Sequence, residues 1–293
     1  AENFGTAREV FNEVNDALEQ DLFRIMCDGP DTELTMTANT QPALMAFSMA
    51  IVRVLERDFG IKLKDKAAYV AGHSLGEYSA ACAAGVFSLA DTAKLLRLRG
   101  EAMQSAVPYG MGGMAAVLGL SYHDVGALVE ACSNGKDICV AANDNAEGQV
   151  VLSGSMRAID RALEIAEEFG ARKCVKLAVS APFHSPYMAP AADAMARAFM
   201  NVEAHDAQIP LVANVLAKPI TEHGEIIKHL IEQVTGTVRW RETMQFFGEQ
   251  GVTDLVEIGA GKVLSGIAKR SNKEINSISV SSLEDIEELA KNL

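Results

Sequence analysis

Two periods of apolar residues run along the chain. From Thr6 to about Met26, Phe11, Val14, Leu18 and Leu22 share one stripe, which predicts a helix. Asp28-Gly29-Pro30-Asp31 breaks it. Thr40 is placed to cap a second helix with Pro42 in its first turn. That helix is expected to run to about Asp58 and stop at Gly60. The apolar run Ala67 to Ala71 predicts a strand, and the small residues Tyr78 to Ala84 a helix closed by Gly85. Ser88-x-x-Asp91 is a capping box for a helix from about Leu89 to Ala106. Pro108, Gly110, Gly112 and Gly113 then make a loop.

From Met114 the pattern changes. Strands are predicted at 114–118, 138–142, 149–153 and 172–177, with helices at 122–132 and 155–169. The middle strands read as a hairpin turning at Asn143-Asp144-Asn145. The order β-α-β-β-α-β is that of a ferredoxin-like unit. After His184, helices are expected at 185–202, 224–234, 238–250, 261–271 and 283–293, the last capped by Ser282. Strands are expected at 209–215, 254–258 and 275–281. Strand–helix alternation implies a parallel sheet covered on both faces. The expected architecture is an α/β core over 1–110 and 184–293, with a small subdomain inserted at 111–183.

The chemistry gathers at Gly72-His73-Ser74-Leu75-Gly76, a Gly-x-Ser-x-Gly between a predicted strand and a predicted helix. That context makes Ser74 a candidate nucleophile on a sharp elbow. The N–H of Leu75, at the helix start, is a candidate donor to a developing oxyanion. A serine hydroxyl needs a base. Of six histidines, His223 and His229 read as solvated, and His123 and His205 fall in polar turns. The elbow turns His73 away from Ser74. His184, in the loop Ala181-Pro182-Phe183-His184-Ser185, is equally a rigidly held base or a structural histidine on these grounds. Arg99 lies on the second helix after the elbow, where a guanidinium can take a carboxylate through two hydrogen bonds or be a plain surface residue. Arg97 reads as a surface residue.

Gly72-His73-Ser74-Leu75-Gly76-Glu77-Tyr78-Ser79-Ala80 closely resembles the active-site segment of the malonyl-CoA:acyl carrier protein transacylases, acyltransferases of fatty acid and polyketide synthesis. The likeness continues in family order through Thr40-Gln41-Pro42-Ala43-Leu44, Arg97-Leu98-Arg99-Gly100, Gly148-Gln149-Val150-Val151, Pro182-Phe183-His184-Ser185, Val238-Arg239-Trp240 and Glu257-Ile258-Gly259-Ala260-Gly261-Lys262-Val263-Leu264. It implies an α/β-hydrolase-like core, a Ser74 nucleophile, a His184 base and Arg99 on the malonyl carboxylate. It implies that a backbone carbonyl, at Gln233, orients the histidine in place of an acid. Phe183 matches the malonyl-selecting form of its loop. Gln41, Met103, Asn145 and Asn214 match positions near the pocket, although each is equally a packing or capping residue. The family takes its second oxyanion donor from a Gly-Gln-Gly-Ser-Gln loop. The sequence given begins within the helix that should follow that loop, so that donor is expected to lie outside it.

The implied activity is malonyl transfer from malonyl-CoA to acyl carrier protein, with no cofactor and no metal, in a cytoplasmic monomer. Alternatives are an acyltransferase domain of a polyketide synthase, an α/β-hydrolase esterase or lipase, and an inactive scaffold. Esterases of that type usually carry their histidine near the C-terminus, unlike His184. Composition narrows the field. Among 293 residues, 49% are hydrophobic and 22% charged, fitting a globular protein. No apolar run reaches the ~18 residues of a membrane span, and Ala1-Glu2-Asn3-Phe4 has no signal-peptide pattern. The five scattered cysteines read as small buried thiols. A net charge of −13 argues against nucleic acid. It also means that an acidic carrier protein needs a local basic patch. Lys262, Lys269, Arg270 and Lys273 form one candidate, Arg172, Lys173 and Lys176 another; each residue is equally solvated surface charge. Gly110-x-Gly112 precedes a strand and lacks the dinucleotide context, and Gly259-Ala260-Gly261-Lys262 lacks phosphate-loop spacing. A phosphate of coenzyme A could still meet the helix N-terminus after Gly261.

Overall fold

A computed structural model describes residues 3–179 and 181–293. The first predicted helix is two: α1 (Gly5–Leu18) and α2 (Leu22–Asp28). The polar run Glu19-Gln20-Asp21 parts them. Glu19 turns left-handed at φ +49°, and Asp21 caps α2 by accepting the Arg24 N–H. After α3 (Asp31–Leu34), helix α4 (Thr37–Arg57) starts earlier than expected. Thr40 is therefore no cap. Its hydroxyl donates to Leu34 O at 2.6 Å and ties α3 to α4. A short α5 (Leu63–Lys66) follows. The run Ala67–Ala71 does not become a full strand: only Val70 pairs, in a single parallel bridge to Leu211.

Helix α6 (Leu75–Ala83) leaves the elbow, and Gly85, at φ +81°, turns the chain after it. Helix α7 (Leu89–Ser105) is capped by Ser88, as expected. It packs on α4 so closely that a Cβ on Gly100 would stand 2.6 Å from Ala38 Cα and Thr37 O. This contact brings two site-bearing helices together.

The middle of the chain builds an antiparallel sheet of β1 (Gly112–Leu118), β2 (Cys139–Ala146), β3 (Gln149–Ser155) and β4 (Lys173–Lys176), in the order β2-β3-β1-β4. Helices α8 (Tyr122–Cys132) and α9 (Met156–Ile165) pack on it. Val125, Leu128, Leu152 and Ile159 fill the layer between, each worth roughly 1.5–3 kcal/mol when fully buried. Strand β2 runs through Asn143–Asn145, so the predicted turn moves to Glu147-Gly148.

A 3₁₀ turn (Pro186–Met188) precedes α10 (Ala189–Phe199). Then come β5 (Leu211–Ala213), β6 (Lys218–Ile220), α11 (His223–Gln233) and α12 (Trp240–Glu249). Last are β7 (Asp254–Ile258), α13 (Val263–Ser271), β8 (Asn276–Val280) and α14 (Leu283–Asn292). β7 and β8 pair in parallel across α13, as the alternation predicts. The remainder departs from a single parallel sheet, because β5 pairs antiparallel with β6, a strand absent from the sequence reading. The structure is thus α/β with mixed pairing. The largest apolar cluster joins α1, α4, α6, α7, α10 and α11 beneath the elbow.

Candidate active site

The elbow is the tightest turn at the site. Ser74 sits at φ +53°, a conformation costly for a residue with a Cβ. Gly72 is obligatory for packing: a Cβ there would fall 1.9 Å from Gly76 O. Gly76 is not, since nothing lies within 4 Å of a Cβ added to it. Asn214, just after β5, holds the turn on both sides. Its Oδ1 accepts the Ser74 N–H at 2.8 Å, and its Nδ2 donates to Gly72 O at 2.7 Å. Leu75 opens α6, so its N–H has no carbonyl one turn earlier to bond.

His184, buried and itself left-handed at φ +55°, reaches the serine. Its Nε2 lies 2.7 Å from Ser74 Oγ, and its Nδ1 lies 2.7 Å from Gln233 O. A carbonyl can only accept, so Nδ1 carries the proton and Nε2 presents its lone pair to the serine hydroxyl. Burial pushes His184 down to about 3, and the positive charge of Arg99 adds to that. The imidazole is therefore neutral at neutral pH and free to take the Oγ proton.

Arg99 is 1% exposed. One Nη donates to Gln41 Oε1 at 2.7 Å; the other donates to Gln233 Oε1 at 2.8 Å and to Ser74 Oγ at 3.1 Å. Its guanidinium carbon stands 5.5 Å from the Tyr78 ring centre. Nε has no hydrogen-bond partner among the described residues. A buried cation beside a nucleophilic hydroxyl can bind an acyl group that carries its own carboxylate.

The fold brings Ser74, Leu75, His184, Gln233, Arg99 and Gln41 together from α4, α6, α7, α11 and the loop before the 3₁₀ turn. Phe183 flanks His184 and packs between the main cluster and Met114, Ala142 and Val151. Met103 is buried one helical turn beyond Arg99. Asn145 Oδ1 lies 2.8 Å from Nε2 of His73, the residue before the nucleophile. His229 is not solvated: it is buried and 2.7 Å from Glu232. Cys27 is exposed and Cys174 half-buried, against the expectation of buried thiols; all five cysteines are unpaired. At the helix start after Gly261, Glu257 accepts the N–H groups of Leu264 and Ser265, which leaves fewer N–H groups there for a coenzyme A phosphate. No cluster of His, Cys, Asp or Glu able to hold a metal occurs among the described residues. Glu77 escaped the sequence reading. Its only signal there is a charge among small apolar residues on a buried helix.

A family model described as acyl transferase domain matches residues 5–288. The chain belongs to the acyl transferase family. This acyl transferase is 39% identical to the malonyl CoA-acyl carrier protein transacylase of Bacillus subtilis, across 98% of the chain and 89% of that protein. It is 42% identical to the transacylase of the same name from Haemophilus influenzae, across 93% and 86%. Among solved structures, the acyl-carrier-protein-S-malonyltransferase of Bartonella henselae superposes with a TM-score of 0.96 at 50% identity, covering 99% of this chain and 92% of that one. The malonyl-transacylase in a complex with a type II PKS acyl-carrier protein superposes at 0.95, with 38% identity and coverage of 100% and 93%.

Proposed function

We propose that this acyl transferase moves a malonyl group from malonyl-CoA to the phosphopantetheine thiol of acyl carrier protein, through a malonyl ester on Ser74, in fatty acid biosynthesis. The observation that carries the reading is Arg99, a buried cation 3.1 Å from the nucleophile. An acetyl group has nothing to offer it; a malonyl carboxylate does.

Ser74 Oγ attacks the thioester carbonyl and passes its proton to His184 Nε2. Gln233 O holds the Nδ1–H and supports the imidazolium that forms. The Leu75 N–H meets the developing oxyanion. Collapse breaks the C–S bond, and the departing coenzyme A thiolate takes the proton from His184. In the second half, the carrier thiol gives its proton to His184 and attacks the ester carbonyl. Ser74 leaves as the hydroxyl, reclaiming that proton. Gln41 and Gln233 hold Arg99 in place, and Met103 packs beneath it. Phe183 narrows the pocket against an α-methyl branch. Asn145 acts indirectly, through His73. The protein's own groups complete every proton transfer, so no cofactor or metal enters the scheme.

The unit 111–183 is read as an inserted ferredoxin-like subdomain, supported by the strand order β2-β3-β1-β4. The segments 1–110 and 184–293 are read as an α/β-hydrolase-like core, supported by the elbow between Val70 and α6. Five unpaired cysteines fit a reducing cytoplasm. Intact-mass spectrometry after mixing with malonyl-CoA tests the function. A malonyl adduct, mapped to Ser74 and discharged by carrier protein, is expected. A Ser74→Ala protein that still gains the adduct would sink the assignment.

A further inference from the structure

The transfer steps leave one buried charge without a task. Glu77 lies on the first turn of α6, three residues after the nucleophile, and is 1% exposed. Its Oε1 accepts the backbone N–H of Asn214 at 3.2 Å, and its Oε2 accepts from Gln233 Nε2 at 2.8 Å. Both partners act directly on the reacting groups. Asn214 grips the elbow at Ser74 N–H and Gly72 O. Gln233 Nε2 also donates to Ser74 O at 2.9 Å, while Gln233 O holds His184. The Gln233 side chain is strung between Arg99 and the Glu77 carboxyl, its oxygen toward the guanidinium and its nitrogen toward the carboxyl. That arrangement fixes which way the amide points.

We propose that Glu77 is the positioning residue of this site: its ionised carboxylate fixes Asn214 and Gln233 together, and through them the serine turn, the base and the carboxylate clamp. The inference rests on the transfer reading above. Two donors face the carboxyl, one on each oxygen, so the anion accepts both most strongly; protonation adds an O–H and makes that oxygen a weaker acceptor. The charged and titratable groups around it are Arg99 from α7, Tyr78 from its own helix and, beyond Gln233, His184. The β5 side offers the neutral Asn214. Burial pushes the Glu77 carboxyl up to about 8, against the Gln233 and Asn214 hydrogen bonds and the Arg99 charge. The ordering of the site thus changes near neutral pH, far above the pH at which His184 gains a proton.

Glu77→Gln keeps the shape and removes the charge, and its NH₂ must face a donor. Rapid-quench acylation by malonyl-CoA, per folded site, is followed from pH 6 to 9. The wild-type rate is expected to rise with pH through the Glu77 ionisation. The Glu77→Gln rate is expected to be at least about tenfold lower and flat with pH, as small misplacements of reacting groups lower rates steeply. KM for malonyl-CoA should move less than the rate, since Gln41 still holds the other Nη of Arg99. A Glu77→Gln protein with the wild-type rate, or with the wild-type pH limb, overturns the proposal. So does a loss explained wholly by fewer folded sites. If Glu77→Gln does not fold, Glu77→Asp keeps the charge but draws it back by one bond; a wild-type rate per folded Glu77→Asp site overturns the proposal equally. Absence of any acylation in the wild type would instead refute the transfer reading, so the two failures are separable.

Discussion

Arg99 is where a single side chain sets substrate class. A charge-assisted pair with a carboxylate is worth roughly 1.5–3 kcal/mol, and here both partners are sheltered from water. Arg99→Ala is therefore expected to lower kcat/KM for malonyl-CoA by about tenfold or more and to change acetyl-CoA turnover little. Equal losses with both substrates would remove the clamp from the scheme. His184 makes a second prediction at this scale. Its folded-state value is about 3, below its ordinary 6.5. Between those values the unfolded chain binds a proton that the folded chain does not, so stability is lost as pH falls through that window. The urea midpoint of the wild type should drop more between pH 7 and 4.5 than that of His184→Gln. Glu77 has the opposite sign: its raised value makes stability fall as pH rises from about 4.5 toward about 8. Ser74 is legible as a candidate from its elbow alone, whereas His184 reads equally as a structural histidine and Arg99 as a surface residue until the family resemblance is added. Gln233 was not legible without the family resemblance, since the group that holds His184 is a backbone carbonyl and any residue has one.

At the scale of elements, the elbow depends on one glycine more than the other. A Cβ at position 72 would fall inside Gly76 O, and the backbone on both sides is pinned by Asn214. Gly72→Ala is expected to destabilise the fold by on the order of 3 kcal/mol, the upper range of an overpacked site, and to abolish the adduct. Gly76→Ala meets open space within a helix, where alanine is preferred by up to about 1 kcal/mol. Its denaturation midpoint should hold or rise. The sequence motif treats the two glycines alike; only the packing separates them. The same lesson explains the misread strands. Ala67–Ala71 is apolar because it runs between two clusters, Tyr69 and Ala71 facing Phe246 and Phe247 while Ala67 and Val70 pack on the main core, rather than because it forms a full ladder. Asn143-Asp144-Asn145 has turn-forming residues, yet it continues β2. Its polar groups are consumed across the interface: Asp144 N–H donates to Val238 O at 2.9 Å, and Asn145 meets His73. Local propensity gave way to partners distant in the chain, which no local pattern records.

At the scale of the whole molecule, that same strand fastens the four-stranded antiparallel sheet to α12. Arg241, on α12, donates from Nε to both Asp144 oxygens, at 3.1 and 2.9 Å, and its Nη2 stands 2.8 Å from Oδ2. The Asp144 side chain is 1% exposed, whereas Arg241 retains 20%. The pair is therefore asymmetric. Arg241→Ala strands a buried carboxylate, a change that costs about 3–5 kcal/mol when a buried pair is broken. Asp144→Asn leaves an acceptor in place and a guanidinium that can turn toward solvent, so it should cost clearly less. Replacing both, as Asp144→Asn with Arg241→Ala, should recover much of the loss, because no unpaired charge is left behind. Urea unfolding of all four proteins measures the cycle. The interface also predicts where the damage goes. Asn145 follows Asp144 in β2 and holds His73, the residue before the nucleophile. Loosening β2 in Arg241→Ala should therefore slow acylation of Ser74 as well as lower stability, and the double variant should restore both together. Stability restored while acylation stays slow would show that β2 and the elbow are not coupled through Asn145.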